Sequence, residues 1–192
     1  MPDPAFLVEG HMEQLALKRL GCKVPIQRIE ANGDSVEMSA MAVRVAALWK
    51  ILGNKYYPVY VIFDRENRVE TAEQLELELI RVLVDIHGCP EEQFVVCCCD
   101  RMIENWILAD SELCESEFGG CEEVCEGVHG KKKLKNLLGR KGMYSETTVG
   151  VKLLTQANSA TLVSRSPSFR RFAMRSHFRC SWLEPARMEL CK

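Results

Sequence analysis

Hydrophobic positions along the first hundred residues follow two periods in turn. Short apolar or alternating runs predict four β-strands, at residues 6–8, 24–29, 59–63 and 94–99. Between these runs, apolar residues recur every three or four positions and predict helices, one ending near Leu20 and others starting at Asp34 and Thr71. Thr71 and Gln74 have the spacing of a capping box. This order predicts an α/β fold with a mainly parallel four-stranded sheet flanked by helices.

The pattern changes after residue 110. The segment at 111–130 is acidic without a clear period, and shorter helices are predicted at 131–138, 147–157 and 169–177. Ser166 and Pro167 favour the start of the last helix, because proline suits the first helical position. We therefore predict two parts, an α/β core at 1–110 and a basic helical extension at 111–192 packed on that core.

Charge is distributed unevenly along the chain, although the formal net charge is only -2. Residues 1–127 contain 11 Lys and Arg against 24 Asp and Glu, whereas residues 128–192 contain 14 against 3. A basic segment beside an acidic one is typical of a protein that binds a polyanion next to a metal-holding site. The alternative is that the two parts neutralise each other across an internal interface.

The ten cysteines are not spaced as a disulfide framework. Cys97, Cys98 and Cys99 are consecutive in a predicted strand, so we expect reduced thiols that pack as small hydrophobic groups. Residues 1–4 lack the basic and apolar regions of a secretory signal. No apolar run approaches the roughly 20 residues that cross a bilayer. We expect a cytoplasmic protein without a membrane partner.

A zinc site is a separate hypothesis. Its ligands would be Cys114, Cys121, Cys125 and His129, and the last three share one face if residues 121–129 are helical. This spacing is not one of the common paired zinc forms, so buried or exposed thiols without metal are the simpler interpretation.

Acidic residues follow the predicted strands. Glu9 comes after the first strand, and Asp64 ends the third with Glu66 two residues later on the same side of the chain. Ligands of parallel sheets bind beyond the carboxyl ends of the strands, so these acids meet if the first and third strands are neighbours. Carboxylate oxygens are the ligands that Mg²⁺ and Mn²⁺ prefer. We predict a Mg²⁺ or Mn²⁺ site with these ligands: Glu9, Asp64, Glu66, Asp100 and Glu104.

A site of this kind suits phosphoryl transfer, because a metal ion stabilises charge on the phosphate. Glu13 lies four residues after Glu9 and is expected near the same strand end, and a lysine of the run at 131–135 is expected opposite the acids. We assign catalysis to Glu9, Glu13, Asp64 and Lys132. Two of the predicted metal ligands have simpler interpretations: Asp100 suits a helix N-cap, and Glu104 is favourable in a first helical turn.

Basic residues of the extension are expected to contact a nucleic-acid backbone. They are Lys131, Lys133, Lys135, Arg170, Arg171 and Arg175. Arg171, Arg175 and Arg179 recur every four residues, so they form one stripe on a helix, which would bind phosphates without sequence preference. The alternatives are a solvated helix face or pairing with the acidic segment at 112–126.

Four segments resemble the Toprim fold, which topoisomerases, bacterial primases and nucleases of the overcoming-lysogenization-defect type share. The first segment is Leu7-Val8-Glu9-Gly10-His11-Met12-Glu13, and the second is Ile62-Phe63-Asp64-Arg65-Glu66. Glu66 stands where the family usually has Asp, which lengthens one arm of the site. The segments at 100–110 and 165–172 are similar to a family of small stand-alone Toprim-like proteins of prokaryotes, some associated with anti-phage defence.

This resemblance implies a Toprim-like, Rossmann-like core and metal-dependent hydrolysis of nucleic-acid phosphodiesters, in DNA or RNA, within anti-phage defence. It also implies candidate partners, a second copy of the chain or an ATPase. One alternative is a non-catalytic Toprim-like module that binds metal or nucleic acid and acts through such an ATPase. Another is a receiver-like signalling domain, which needs a lysine after a fifth strand that this sequence does not convincingly supply.

Overall fold

Four parallel strands form the centre of the fold. In this computed structural model, residues 2–31, 36–120, 124–139 and 143–192 are described. The strands are β1 Asp3–Val8, β2 Ile26–Arg28, β3 Tyr56–Asp64 and β4 Phe94–Cys99, and their order in the sheet is β2-β1-β3-β4. The central pair is β1 and β3, with Phe6 opposite Tyr60 and Val8 opposite Ile62. The predicted parallel sheet, and the adjacency of the first and third strands, are therefore confirmed.

Helices cover both faces of this sheet. Those in the described ranges are α1 His11–Arg19, α2 Met38–Leu52, α3 Ala72–Asp85, α4 Glu104–Ala109, α5 Ser111–Phe118, α6 Gly130–Leu138, α7 Val151–Gln156, α8 Ser159–Arg165, α9 Pro167–Arg175 and α10 Glu184–Leu190. Short 3₁₀ turns occupy Gly53–Lys55, Glu91–Gln93 and Ser181–Leu183, and a π-helix at Glu146–Gly150 leads into α7. None of the described helices is both long enough and apolar enough to span a membrane.

β1, β3 and β4 supply alternate side chains to two separate hydrophobic cores. On β3, Val61 and Phe63 pack against α2 and α3, whereas Tyr60 and Ile62 face α1 and the helices that follow β4. Phe172 of α9 packs edge to face on Tyr60. The predicted extension therefore has no core of its own, because its apolar side chains complete one layer of the α/β fold.

Local signals in the sequence fix several boundaries. Thr71 and Gln74 form the predicted capping box at the start of α3, and the Ser166 hydroxyl caps α9 with Pro167 in its first turn. The second strand is shorter than predicted, because only three residues pair with β1. The predicted helix start at Asp34 lies outside the described residues, and α2 begins at Met38.

The end of the chain differs from the predicted helix at 169–177. That helix, α9, ends at Arg175, where the backbone of Ser176 turns to an extended conformation. Arg179 lies beyond the helix, so the predicted stripe of three arginines on one helical face does not form.

Candidate metal centre

Glu9 and Asp64 meet at the carboxyl edge of the sheet. Because β1 and β3 are neighbours, the N–H of Asp64 donates to Oε2 of Glu9 at 2.8 Å. The N–H of Glu9 donates to the carbonyl of Ile62 at 3.0 Å, which continues the ladder beyond β1. Oδ1 of Asp64 accepts from the N–H of Ile103 at 2.9 Å, at the start of α4. Three chain segments thus hold the two acids in fixed positions.

A cavity of about 420 Å³ opens beside this pair. Its size is within the range of about 300–1,000 Å³ that small-molecule sites occupy. Within the described ranges, six acidic side chains and one lysine line it: Glu9, Glu13, Asp64, Glu66, Glu104, Glu146 and Lys131. Five of these acids were expected near one another from the sequence, and they come from the ends of β1 and β3 and the first turns of α1 and α4.

Burial and mutual repulsion make these carboxylates costly to ionise. Glu13 and Glu104 are each only 4% exposed. Burial raises the pKa of Glu9 to about 7, although the N–H of Asp64 opposes the shift. Burial, followed by the charges of Glu104 and Glu9, raises the pKa of Glu13 to about 8. The pKa of Asp64 is also raised well above its usual range, by burial and by the charge of Glu13. A bound cation would remove this repulsion.

The donor set fits a hard divalent cation in chemical type. Every acidic group in the cavity offers oxygen, and no described Cys or His lines it, which favours Mg²⁺ or Mn²⁺ over zinc. No group of three or more His, Cys, Asp or Glu side chains in the described residues is arranged to hold a metal ion as it stands. Binding would therefore require these carboxylates to rotate toward the ion.

Lys131, rather than Lys132, supplies the cation that faces the acids. Its ammonium group pairs with Glu146 at the edge of the cavity. This hydrogen bond raises the pKa of Lys131, burial opposes it, and the charges of Glu104 and Asp64 add to it. Lys132 is exposed and does not line the cavity. The helical phase of α6 thus places Lys131 at the cavity, whereas Lys132, the lysine predicted for catalysis, points away from it.

Asp100 does not join the predicted ligands. Its Oδ1 accepts from Nε of Arg65 at 2.6 Å, and it does not line the cavity. It is not the N-cap of α4 either, since Ile103 occupies that position. Although Asp100 follows β4, its ion pair turns its carboxylate toward the loop after β3. Asp100 therefore lies apart from the predicted ligands that the cavity brings together.

Two of the arginines predicted to contact nucleic acid form ion pairs within the protein. Arg171 pairs with Glu73 and with Glu76, and Arg175 pairs with Glu76 at 2.7 Å. Glu76 is 2% exposed and also accepts from the N–H of Cys98 at 3.0 Å. These residues cover the outer edge of β4, which would otherwise present unpaired backbone groups. The partners belong to α3 and not to the acidic segment at 112–126.

The remaining basic residues divide between two roles. Arg170 donates to the carbonyls of Val163 at 2.7 Å and Ser164 at 3.1 Å, so it too has internal partners. Lys135 is exposed on α6, and Lys133 is half-buried on the same helix. The basic surface close to the cavity is therefore α6.

The zinc hypothesis is not supported by the positions of its described ligands. Cys121 lies outside the described residues. Cys114 is buried with its thiol near the carbonyl of Leu108 at 3.8 Å, and the thiol of Cys125 is 3.2 Å from the carbonyl of Arg165. His129 accepts from the N–H of Lys132 and caps α6. No helix runs through residues 124–129, so the expected shared face does not exist.

Glu146 and Tyr144 belong to the site, although no sequence pattern indicated either residue. The Tyr144 hydroxyl donates to Oε1 of Glu104 at 2.9 Å. A Cβ atom at Gly150 would lie 2.6 Å from that hydroxyl oxygen and 2.8 Å from Sδ of Met12, so only glycine leaves room for them. A π-helix, which often occurs at functional sites, carries Glu146 over the cavity. The apolar period of residues 147–157 predicts an ordinary helix and hides this feature.

Backbone strain is concentrated at the same edge of the sheet. The backbone φ angle is 54° at Glu66 and 65° at Arg101, values that residues other than glycine rarely adopt. The N–H of Glu66 donates to the carbonyl of Arg101 at 2.7 Å and ties the two loops together. Such strain persists where the surrounding structure imposes it, and it is commonly found at functional sites.

Comparison of the chain with protein-family models, curated proteins and solved structures gave no match. Function is therefore inferred from the geometry described above. From the part of the chain that the structure describes, the cavity combines six carboxylates and one ammonium group with a volume that accommodates a small anionic ligand. That combination suits the binding of a divalent cation together with a phosphate group.

Proposed function

We propose that the cavity binds Mg²⁺ or Mn²⁺ and hydrolyses phosphodiester bonds of nucleic acid. The observation that carries this proposal is the convergence of acids from β1, β3, α1 and α4 on one cavity that Lys131 also lines. The resemblance of residues 7–13 and 62–66 to Toprim motifs gives additional support, because that resemblance requires adjacent first and third strands. It also favours a role in anti-phage defence.

Glu9, Asp64 and Glu66 would hold the metal ion, with Glu104 assisting. A bound ion would supply electrostatic stabilisation of the negative charge on the phosphate. Glu13 lies in the same cavity, and a cation bound there would favour its ionised carboxylate, which can accept a proton. We propose that the carboxylate of Glu13 accepts a proton from the attacking water.

Lys131 would face the phosphate from the opposite side. Its ammonium group pairs with a carboxylate, Glu146, that is 45% exposed. A substrate phosphate carries the same type of charge-assisted acceptor and would replace Glu146 as the partner of this lysine. In the proposed reaction, Lys131 stabilises the charge that develops on the phosphate oxygens.

The backbone of a nucleic-acid substrate would run along α6. Three of the predicted contacts, Lys131, Lys133 and Lys135, belong to this helix, and Lys131 also lines the cavity. A surface with about three phosphate contacts gives weak, salt-dependent binding, with a slope of roughly -0.7 per contact for single strands. We therefore expect binding of the oligonucleotide to weaken as the salt concentration rises.

The test is cleavage of single-stranded DNA and RNA oligonucleotides in the presence of Mn²⁺ or Mg²⁺, with EDTA as the metal-free control. We expect Asp64→Asn to lower the cleavage rate by about a hundredfold or more, because it removes a metal ligand. Asp85→Asn makes the same chemical change at the exposed end of α3 and should cleave like the unchanged protein. Equal cleavage by the unchanged protein and Asp64→Asn would refute the proposal.

A non-catalytic module acting through a partner ATPase is a second candidate. It is favoured by the absence, among the described residues, of an acidic group already arranged to hold a metal ion. In this case oligonucleotides would bind to the isolated protein without cleavage, whether or not Mn²⁺ is present. Measurement of binding by calorimetry alongside the cleavage assay separates the two candidates.

A further inference from the structure

Two consecutive side chains at the start of α4 point to different surroundings. Glu104 lines the cavity, whereas Asn105 is completely buried. Nδ2 of Asn105 donates to the carbonyl of Cys125 at 2.6 Å and to the carbonyl of Val128 at 3.0 Å. A buried amide must find such partners, and both of these belong to the segment that leads into α6. Asn105 therefore fastens that segment to α4.

Gly130 brings the first turn of α6 against the same part of α4. A Cβ atom at this position would lie 2.5 Å from Oδ1 of Asn105 and 3.0 Å from Cβ of Glu104. Contacts of this length are far below ordinary van der Waals separation, so any larger residue would push α6 away from α4. The N–H of Lys131, the next residue, points to Sδ of Met102 at 3.4 Å.

Lys131 directly follows Gly130, so the distance between its ammonium group and the acids depends on this contact. We propose that Asn105 and Gly130 are positioning residues that hold α6 close enough to α4 for Lys131 to face Glu104 and Asp64. The catalytic meaning of this inference rests on the proposed function. The physical claim, that the two residues set the position of Lys131, can be tested without any activity.

The physical claim is tested by acylation of lysines with acetic anhydride, followed by mass spectrometry. The amine attacks the anhydride, and an amide forms with release of acetate and a proton. In the unchanged protein Lys131 should react more slowly than exposed Lys132, which is the internal reference. In Gly130→Ala and Asn105→Ala the rate at Lys131 should approach that of Lys132. Asn136→Ala, at an exposed position of α6, should leave the ratio unchanged.

The catalytic claim is tested by kinetics of the same variants, after their unfolding temperatures have been measured. We expect Gly130→Ala to lower kcat by about a hundredfold, because a displacement of about 1 Å in a catalytic group costs that much. KM for the oligonucleotide should rise less than kcat falls, because Lys131 is one of about three phosphate contacts, and the affinity for Mn²⁺ should change little. In a Lys131→Met background, Gly130→Ala should have no further effect on kcat, since both changes remove one interaction.

The outcomes separate the inference from the proposed function. If Gly130→Ala folds and its Lys131 is still protected from acylation, the positioning role is refuted, whatever the activity. Additive losses of kcat in the double variant would overturn the catalytic claim. If the unchanged protein cleaves nothing, the proposed function fails, and the acylation ratios still decide whether Asn105 and Gly130 position Lys131. Gly130→Ala carries the test if Asn105→Ala does not fold.

Discussion

Glu13→Gln should stabilise the metal-free protein at neutral pH. Glu13 is 4% exposed, and its pKa is about 8 in the folded chain against an ordinary value of 4.5. The folded chain therefore favours the protonated carboxyl group. The resulting penalty is absent below about pH 4.5 and grows as the pH rises toward 8. Glutamine keeps the shape of the side chain and never ionises.

The size of this effect follows from the two pKa values. A tenfold difference in proton affinity corresponds to about 1.4 kcal/mol, so holding Glu13 in the folded chain costs about 3 kcal/mol at pH 7 and less than about 1 kcal/mol at pH 5. Urea unfolding in EDTA at both pH values measures the difference. Glu112→Gln, at an exposed position of α5, should change stability by less than about 0.5 kcal/mol at either pH.

Two results would refute this reasoning about Glu13. One is a Glu13→Gln variant that is less stable than the unchanged protein at pH 7. The other is a stability gain of equal size at pH 5 and pH 7, which would mean that ionisation is not its cause. Saturating Mn²⁺ should reduce the gain, because a cation bound nearby favours the ionised carboxylate of Glu13 and lowers its penalty.

Two further substitutions test other parts of the structure. Glu76→Ala would leave Arg175 and the N–H of Cys98 without their buried acceptor, and we expect urea unfolding to show a loss of about 3 kcal/mol. A loss no larger than that of exposed Glu92→Ala would contradict the internal role of the pair. Glu66→Asn should raise the unfolding temperature without metal, because Asn adopts a φ near 54° more readily than Glu. The same change should weaken Mn²⁺ binding, and an unchanged affinity would remove Glu66 from the ligand set.

The strands and the main acids could be predicted from sequence because local patterns determine them. The apolar run at 94–99 coincides with β4, and the capping box at Thr71 marks the start of α3. The sequence could predict that Glu9 lies near Asp64, because the carboxyl ends of parallel strands lie at one edge of the sheet. The sheet order that makes their strands neighbours was an assumption, which the hydrogen bonds of β1 and β3 confirm.

The remaining features depend on contacts between distant parts of the chain. Lys131 and Lys132 are adjacent in a basic run, and only the docking of α6 on α4 decides which one lines the cavity. The arginines of α9 have the spacing of a phosphate-binding stripe, but their partners on α3 lie more than 90 residues away. Glu146 is carried by a π-helix, but the apolar period of residues 147–157 is that of an ordinary helix.

A crystal soaked in MnCl₂ and measured for anomalous diffraction tests the proposed metal site most directly. We predict an anomalous peak between the carboxylates of Glu9 and Asp64, and its loss in Asp64→Asn. Asp85→Asn crystals treated in the same way should keep the peak. A peak that persists in Asp64→Asn, or the absence of any peak in the cavity of the unchanged protein, would contradict the assignment.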